Sequence, residues 1–192
     1  MNGNLFRLTL ANPAAAMGQL LAHRLPLRAS LQMVVLGALL STMSTCLALL
    51  VQPFPDPLVN ALVLNNPIIF AISGTLAAVL FAFSLFRLGA AFGGLGDFAG
   101  ACLMMGWLQI VMVVLQLAEL LTIFLLPALL GLLVSVVALG VVIWVAIGMT
   151  RALHRFANTG LAVGTLIGAF VLTILGMALL VMLLGTLSGG GV

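Results

Sequence analysis

The chain has 192 residues, 65% of them hydrophobic and 5% charged, with a mean hydropathy of +1.42. A water-soluble domain carries about 25% charged residues to keep its surface wet, so this composition excludes one and points to a single lipid-embedded domain. The net charge of +3 comes from six basic residues, all arginine and none in a run, so nucleic acid is not an expected partner.

The first segment, residues 1–30, reads as a polar lead. Asn12-Pro13 is a helix start, with Asn as the cap and Pro in the first turn. The helix it opens, Pro13–Leu25, carries Met17, Leu20 and Leu21 beside Gln19, His23 and Arg24 and is expected to lie at the membrane interface. Leu31–Val51 is uncharged and long enough to span. Because it starts well inside the chain it is read as a retained helix and not as a signal peptide. The three prolines of Gln52-Pro53-Phe54-Pro55-Asp56-Pro57 stop it. Leu58–Leu64 is too short to span and skims the outer surface. Pro67–Phe86 is the second span and closes at Arg87. A glycine-rich turn, Phe92-Gly93-Gly94-Leu95-Gly96-Asp97, follows, with Asp97 as the expected cap of the next helix.

From Phe98 to Met149 the chain is almost uninterruptedly apolar. One helix of that length would measure roughly 78 Å at 1.5 Å per residue, against a hydrocarbon core about 30 Å thick. The run must fold back, and Pro127 is the expected hinge, giving spans 101–126 and 128–149. Residues 161–187 form the fifth span and 188–192 a short tail. The expected fold is an all-α integral membrane bundle of five transmembrane helices over residues 31–187.

The arginines orient it. Arg7, Arg24 and Arg28 precede the first span, Arg87 lies between the second and third, and Arg151 and Arg155 lie between the fourth and fifth. All six therefore fall on one side. Arginine-rich loops face the cytoplasm, which puts the N-terminus in the cytoplasm and the C-terminus in the periplasm of a bacterial inner membrane.

In lipid, helices pack where small residues let backbones approach. The fifth span carries Gly160, Gly164, Gly168 and Gly176 at multiples of four; the second has Gly74, Ala78 and Ala82, and the first Gly37, Ser41 and Thr45. These faces serve packing within the chain, against a second copy, or against another membrane protein. The sequence leaves those three open.

Glu119 is the one ionisable residue well inside a span, and an intramembrane carboxylate is a candidate site by default. It forms a polar stripe with Gln109 and Gln116 on the third span. At matching depth lie Ser44 and Thr45 of the first span, Ser73 and Thr75 of the second, and Ser135 of the fourth. The expectation is a layer of small polar groups around Glu119. No cofactor is called for. Cys46 and Cys102 form no CxxC, His23 and His154 sit beside arginines at the interface without a second metal ligand, and HExxH, GxSxG and paired carboxylates are missing. The expected protein is not an enzyme.

Five spans, an Asn-Pro helix start in the lead, a proline-broken outer loop and the aromatic-Gly-Gly-x-Gly-x-Phe turn Phe92–Phe98 occur together here, followed by Ala101 and Trp107-Leu108-Gln109. This pattern resembles the bacterial branch of the Yip family (the Ypt/Rab-interacting protein one domain), over residues 5–187. The resemblance implies a polytopic, non-enzymatic membrane scaffold, adaptor or membrane-organising protein with membrane lipid around it. Eukaryotic members bind prenylated Rab GTPases and carry a long cytoplasmic region with an Asp-Leu-Tyr-Gly-Pro motif. This chain has no tyrosine and its first span starts early, so Rab GTPase binding is not carried over. The alternative is a small transporter or channel built on the layer around Glu119.

Overall fold

The computed structural model describes residues 4–125 and 128–187. They form eight helices in chain order: α1 (Asn4–Ala11), α2 (Pro13–Ala22), α3 (Leu27–Val51), α4 (Pro57–Leu64), α5 (Pro67–Ala91), α6 (Phe98–Leu125), α7 (Ala128–His154) and α8 (Thr159–Leu187). No strand occurs among the described residues. Five of the helices, α3, α5, α6, α7 and α8, are long and apolar enough to cross a membrane. The hinge residue Pro127, its neighbour Leu126 and the tail 188–192 lie outside the described residues.

Each spanning helix overruns the apolar stretch read from the sequence. Helix α3 begins at Leu27 rather than Leu31, α5 continues through Arg87 to Ala91, α6 starts at Phe98, α7 reaches His154 and α8 starts at Thr159. An arginine ends an apolar run, but backbone i→i−4 hydrogen bonds hold equally well in the headgroup region. The true stops are chemical. Helix α5 ends in a Schellman turn: Gly94 N–H donates to Gly89 O (2.8 Å), Gly93 N–H donates to Ala90 O (3.0 Å), and Gly93 takes φ +81°. Helix α7 ends the same way, with Phe156 N–H on Arg151 O (3.0 Å) and Arg155 at φ +54°. Helices α4 and α6 begin at acidic caps: Asp56 Oδ1 accepts from Leu58 N (2.8 Å), and Asp97 Oδ1 accepts from Gly100 N (2.8 Å).

Helix α6 is the axis. Its apolar stretch is 61% buried, against 28, 28, 17 and 11% for α3, α5, α7 and α8. It packs most extensively on α3. Two glycines explain the closeness. A Cβ at Gly106 of α6 would stand 2.9 Å from the Met33 carbonyl carbon, and one at Gly37 of α3 would stand 2.8 Å from Gln109 Cβ. Each helix thus offers a notch to the other, and backbone meets backbone.

The N-terminal lead is packed against the bundle. The Asn12 cap forms, its Oδ1 accepting from Ala15 N at 3.1 Å, but the helix ends at Ala22 instead of Leu25. Its apolar side is covered by protein: Ala16 and Met17 are fully buried and Leu20 nearly so. Helix α2 lies along α7, where a Cβ at Gly148 would meet Pro13 Cβ at 2.8 Å. A further helix, α1, precedes it. Its Thr9 is fully buried and accepts a hydrogen bond from Trp107 Nε1 (3.0 Å), tying the start of the chain to the axial helix.

Helix α8 packs on α5 and α7. Gly168 and Gly176 receive Leu88 and Leu80 of α5, whose Cδ atoms would lie 2.8 and 2.6 Å from an added Cβ. Gly164 faces open space, and Gly160 meets Asn158 of its own cap. The buried stripe is instead Ala162, Thr165 and Ala169, continued by Gly176. Steps of seven along this stripe drift by about 20° around the helix, whereas two steps of four drift by about 80°. Of the four-spaced glycines, Gly168 and Gly176 therefore meet α5, and Gly164 does not.

Candidate functional site

Gln109 and Gln116 are seven residues apart on α6, so they lie within about 20° of each other around the helix. Both face α3. Gln116 is clamped there: Ser44 Oγ donates to Gln116 Oε1 (2.7 Å), and Gln116 Nε2 donates to Thr45 Oγ1 (3.4 Å). Ser44 is buried and also lies 3.0 Å from Ser41 O, so its single proton has two competing acceptors. Gln109 sits two turns further along in the notch of Gly37, buried, with Oε1 lacking a partner among the described residues.

Glu119 is three residues beyond Gln116 and so about 60° away around the helix. It is half-buried. Its carbonyl accepts from Thr122 Oγ1 (2.7 Å), while its carboxylate makes no hydrogen bond or ion pair with the described residues. The rest of the expected layer does not gather around it. Thr75 Oγ1 donates to Ala71 O of its own helix (2.8 Å), Ser73 is half-buried on α5 without a side-chain hydrogen bond among the described residues, and Ser135 is exposed on α7. Depth was the basis of that layer, but depth alone does not place side chains on facing sides. Of the eight residues, the structure brings together Gln116, Ser44 and Thr45.

The sequence makes both histidines ordinary interfacial residues. His23 is one, exposed, with Nδ1 at 2.8 Å from Gln19 O. His154 is 1% exposed, and neither ring nitrogen makes a well-formed hydrogen bond among the described residues, the nearest polar influence being the Leu85 backbone. Its cage is made of glycine. A Cβ at Gly89 would overlap the imidazole, and one at Gly94 or Gly96 would lie 2.7 Å from it. Phe156 stacks on the remaining face, with centroids 5.2 Å apart and planes inclined by 24°. The turn after α5 is fastened over this end of α7 by Leu95 N–H donating to His154 O (3.1 Å). The clue in the sequence was the density of glycine in and just before the Phe92–Asp97 turn. The partner, more than fifty residues on, carried no local signal.

Chemically, the clamp and the cage are different devices. The clamp exchanges hydrogen bonds between a carboxamide and two hydroxyls and fixes the register of α3 against α6. The cage holds an imidazole against backbone and a ring. No three His, Cys, Asp or Glu side chains converge as a metal site among the described residues. Compared with known proteins, the chain matches no family model, no curated protein and no solved structure.

Proposed function

We propose that the chain is a non-enzymatic, multi-pass protein of a bacterial inner membrane, of the Yip type, acting as a scaffold, adaptor or membrane-organising element. In this reading the arginine-bearing end lies in the cytoplasm and the C-terminus in the periplasm. Its partners are membrane lipid and either a second copy or another membrane protein. The observation that supports it is a set of side-chain hydrogen bonds that join helices near the axis. Gln116 bonds to Ser44 and Thr45 across the α3–α6 interface. Trp107 bonds to Thr9, so the polar groups near the axis serve to hold helices together. Meanwhile the faces of α7 and α8 are largely exposed and apolar, with Leu133, Val137, Phe170 and Leu175 all more than half exposed.

A second reading, a small transporter or channel, is favoured by the Glu119 carboxylate, half-buried in α6 and unpartnered among the described residues. Proteoliposomes separate the two. Proton or solute flux that appears with the wild type and disappears with Glu119→Ala selects the transporter. Absence of flux in both, with a membrane protein recovered alongside the wild type from native membranes, supports the scaffold.

A further inference from the structure

Helices α3 and α5 together line an apolar groove of about 630 Å³. Its floor is Thr42 and Ala71, both buried, with half-buried Thr75; its walls are Leu39, Met43 and Leu76, which are 47, 69 and 42% exposed. A second hollow of about 550 Å³ shares Val35 and Leu39 with it and ends at Gln32 and Arg28. Arg28, Gln32, Val35, Leu39 and Met43 follow one another at steps of four and three along α3, so the two hollows lie end to end as one channel along that helix face, with α5 as a second wall only in the deeper part. From Arg28 to Met43 it runs about 22 Å at 1.5 Å per residue, which carries it from the headgroup level past the middle of a hydrocarbon core about 30 Å thick.

The mouth is charged in one sense. Arg28 is exposed and makes no hydrogen bond or ion pair with the described residues. The acidic residues of the chain are Asp56, Asp97 and Glu119. None belongs to α3 or α5, and none lines the channel. A guanidinium recognises a phosphate through paired N–H donors, and Gln32 adds a carboxamide one turn away. An apolar channel that opens at a free cation fits one occupant better than a second copy of this chain, whose exposed surfaces on α7 and α8 present no anion to Arg28.

We propose that this channel is a binding site for one anionic glycerophospholipid of the leaflet at the arginine-bearing end. One acyl chain lies between α3 and α5, and the phosphate lies on Arg28 and Gln32. The site depends on the bundle crossing a bilayer and is independent of whether the protein is a scaffold or a transporter.

The test is native mass spectrometry of the full-length protein, purified in detergent and titrated with phosphatidylglycerol and phosphatidylcholine of identical acyl chains. The wild type is expected to retain one phosphatidylglycerol with about a fivefold preference, the contribution of one basic residue at an anionic surface. Arg28→Gln removes the preference and leaves apolar retention of either lipid, Arg28→Lys preserves it, and Thr75→Trp, which fills the floor, lowers retention of both. A wild type without preference, a preference that survives Arg28→Gln, or unchanged retention in Thr75→Trp overturns the proposal. So does a two-chain species that Thr75→Trp dissociates, since it assigns the channel to a second copy. Arg28 is exposed, so its variants test the proposal even if Thr75→Trp does not fold.

Discussion

Replacing Gly89 by alanine tests the histidine cage directly. The added Cβ would overlap the imidazole of His154 on three of its ring atoms. The ring cannot retreat, because Gly94 and Gly96 close its other sides at 2.7 Å from where their own Cβ atoms would be, and Phe156 is stacked on its face. Overpacking a well-filled site costs about 1–3 kcal/mol, and a rigid ring without an escape direction puts Gly89→Ala near 3 kcal/mol. His154→Ala alone leaves a void costing about 2–4 kcal/mol. It also removes buried ring nitrogens that make no well-formed hydrogen bond, which offsets about 1–3 kcal/mol, so its net cost is about 1 kcal/mol. In that background the three atoms nearest the new methyl are gone, and alanine gains about 1 kcal/mol of helix propensity over glycine. Gly89→Ala is therefore expected to change sign, destabilising in the wild type and neutral or stabilising in His154→Ala. The coupling exceeds about 2 kcal/mol, well outside the error of additive sites. Unfolding in mixed micelles, followed by the fluorescence of Trp107 and Trp144, measures all four proteins. Equal cost of Gly89→Ala in both backgrounds would refute the cage.

Other substitutions discriminate between contacts that look alike in the sequence. Gly106→Val presses on the backbone of Met33 and Val34 (2.9 and 3.0 Å) and is expected to cost more than about 3 kcal/mol. Gly164→Val, with nothing within 4 Å, is expected to be within about 0.5 kcal/mol of the wild type in the same assay. Gln116→Leu removes the clamp to Ser44 and Thr45 and is expected to cost about 0.6–1.7 kcal/mol, the range for hydrogen bonds between membrane helices. Trp107→Phe deletes the bond to Thr9. Limited proteolysis is expected to cut near Asn12 faster in this variant while the spanning helices stay intact.

The five spanning helices were legible because lipid imposes a length and a composition on each crossing, and residues 31–51 and 67–86 both lie inside observed helices. Their ends were not legible, since Arg87 and Arg151 mark the edge of the apolar layer and not the edge of hydrogen bonding. What covers the lead was not legible for a related reason. Met17 and Leu20 had to leave water, but hydropathy does not distinguish burial under protein from burial in lipid. The polar layer was half legible. Gln116 and the hydroxyls of Ser44 and Thr45 met as depth required, while Glu119 missed them by about 60° of helix rotation. Along α8, Gly168 and Gly176 receive Leu88 and Leu80 of α5 while Gly164 meets nothing within 4 Å, because four-residue steps precess around the helix. His154 was illegible. Its burial depends on a turn folded over the end of another helix, and only the tertiary fold brings Gly89 and Gly96 to it.

The central claim is a five-span bundle with every arginine on the cytoplasmic side. It is tested most directly by labelling single cysteines with a membrane-impermeant maleimide on intact cells, in a background free of Cys46 and Cys102. Asn65, between α4 and α5, and Asn158, between α7 and α8, are both exposed and lie in loops expected on opposite sides of the membrane. The account predicts labelling of Asn65→Cys in intact cells, and of Asn158→Cys only after the membrane is opened. Reversed labelling, or the same behaviour at both positions, would contradict it.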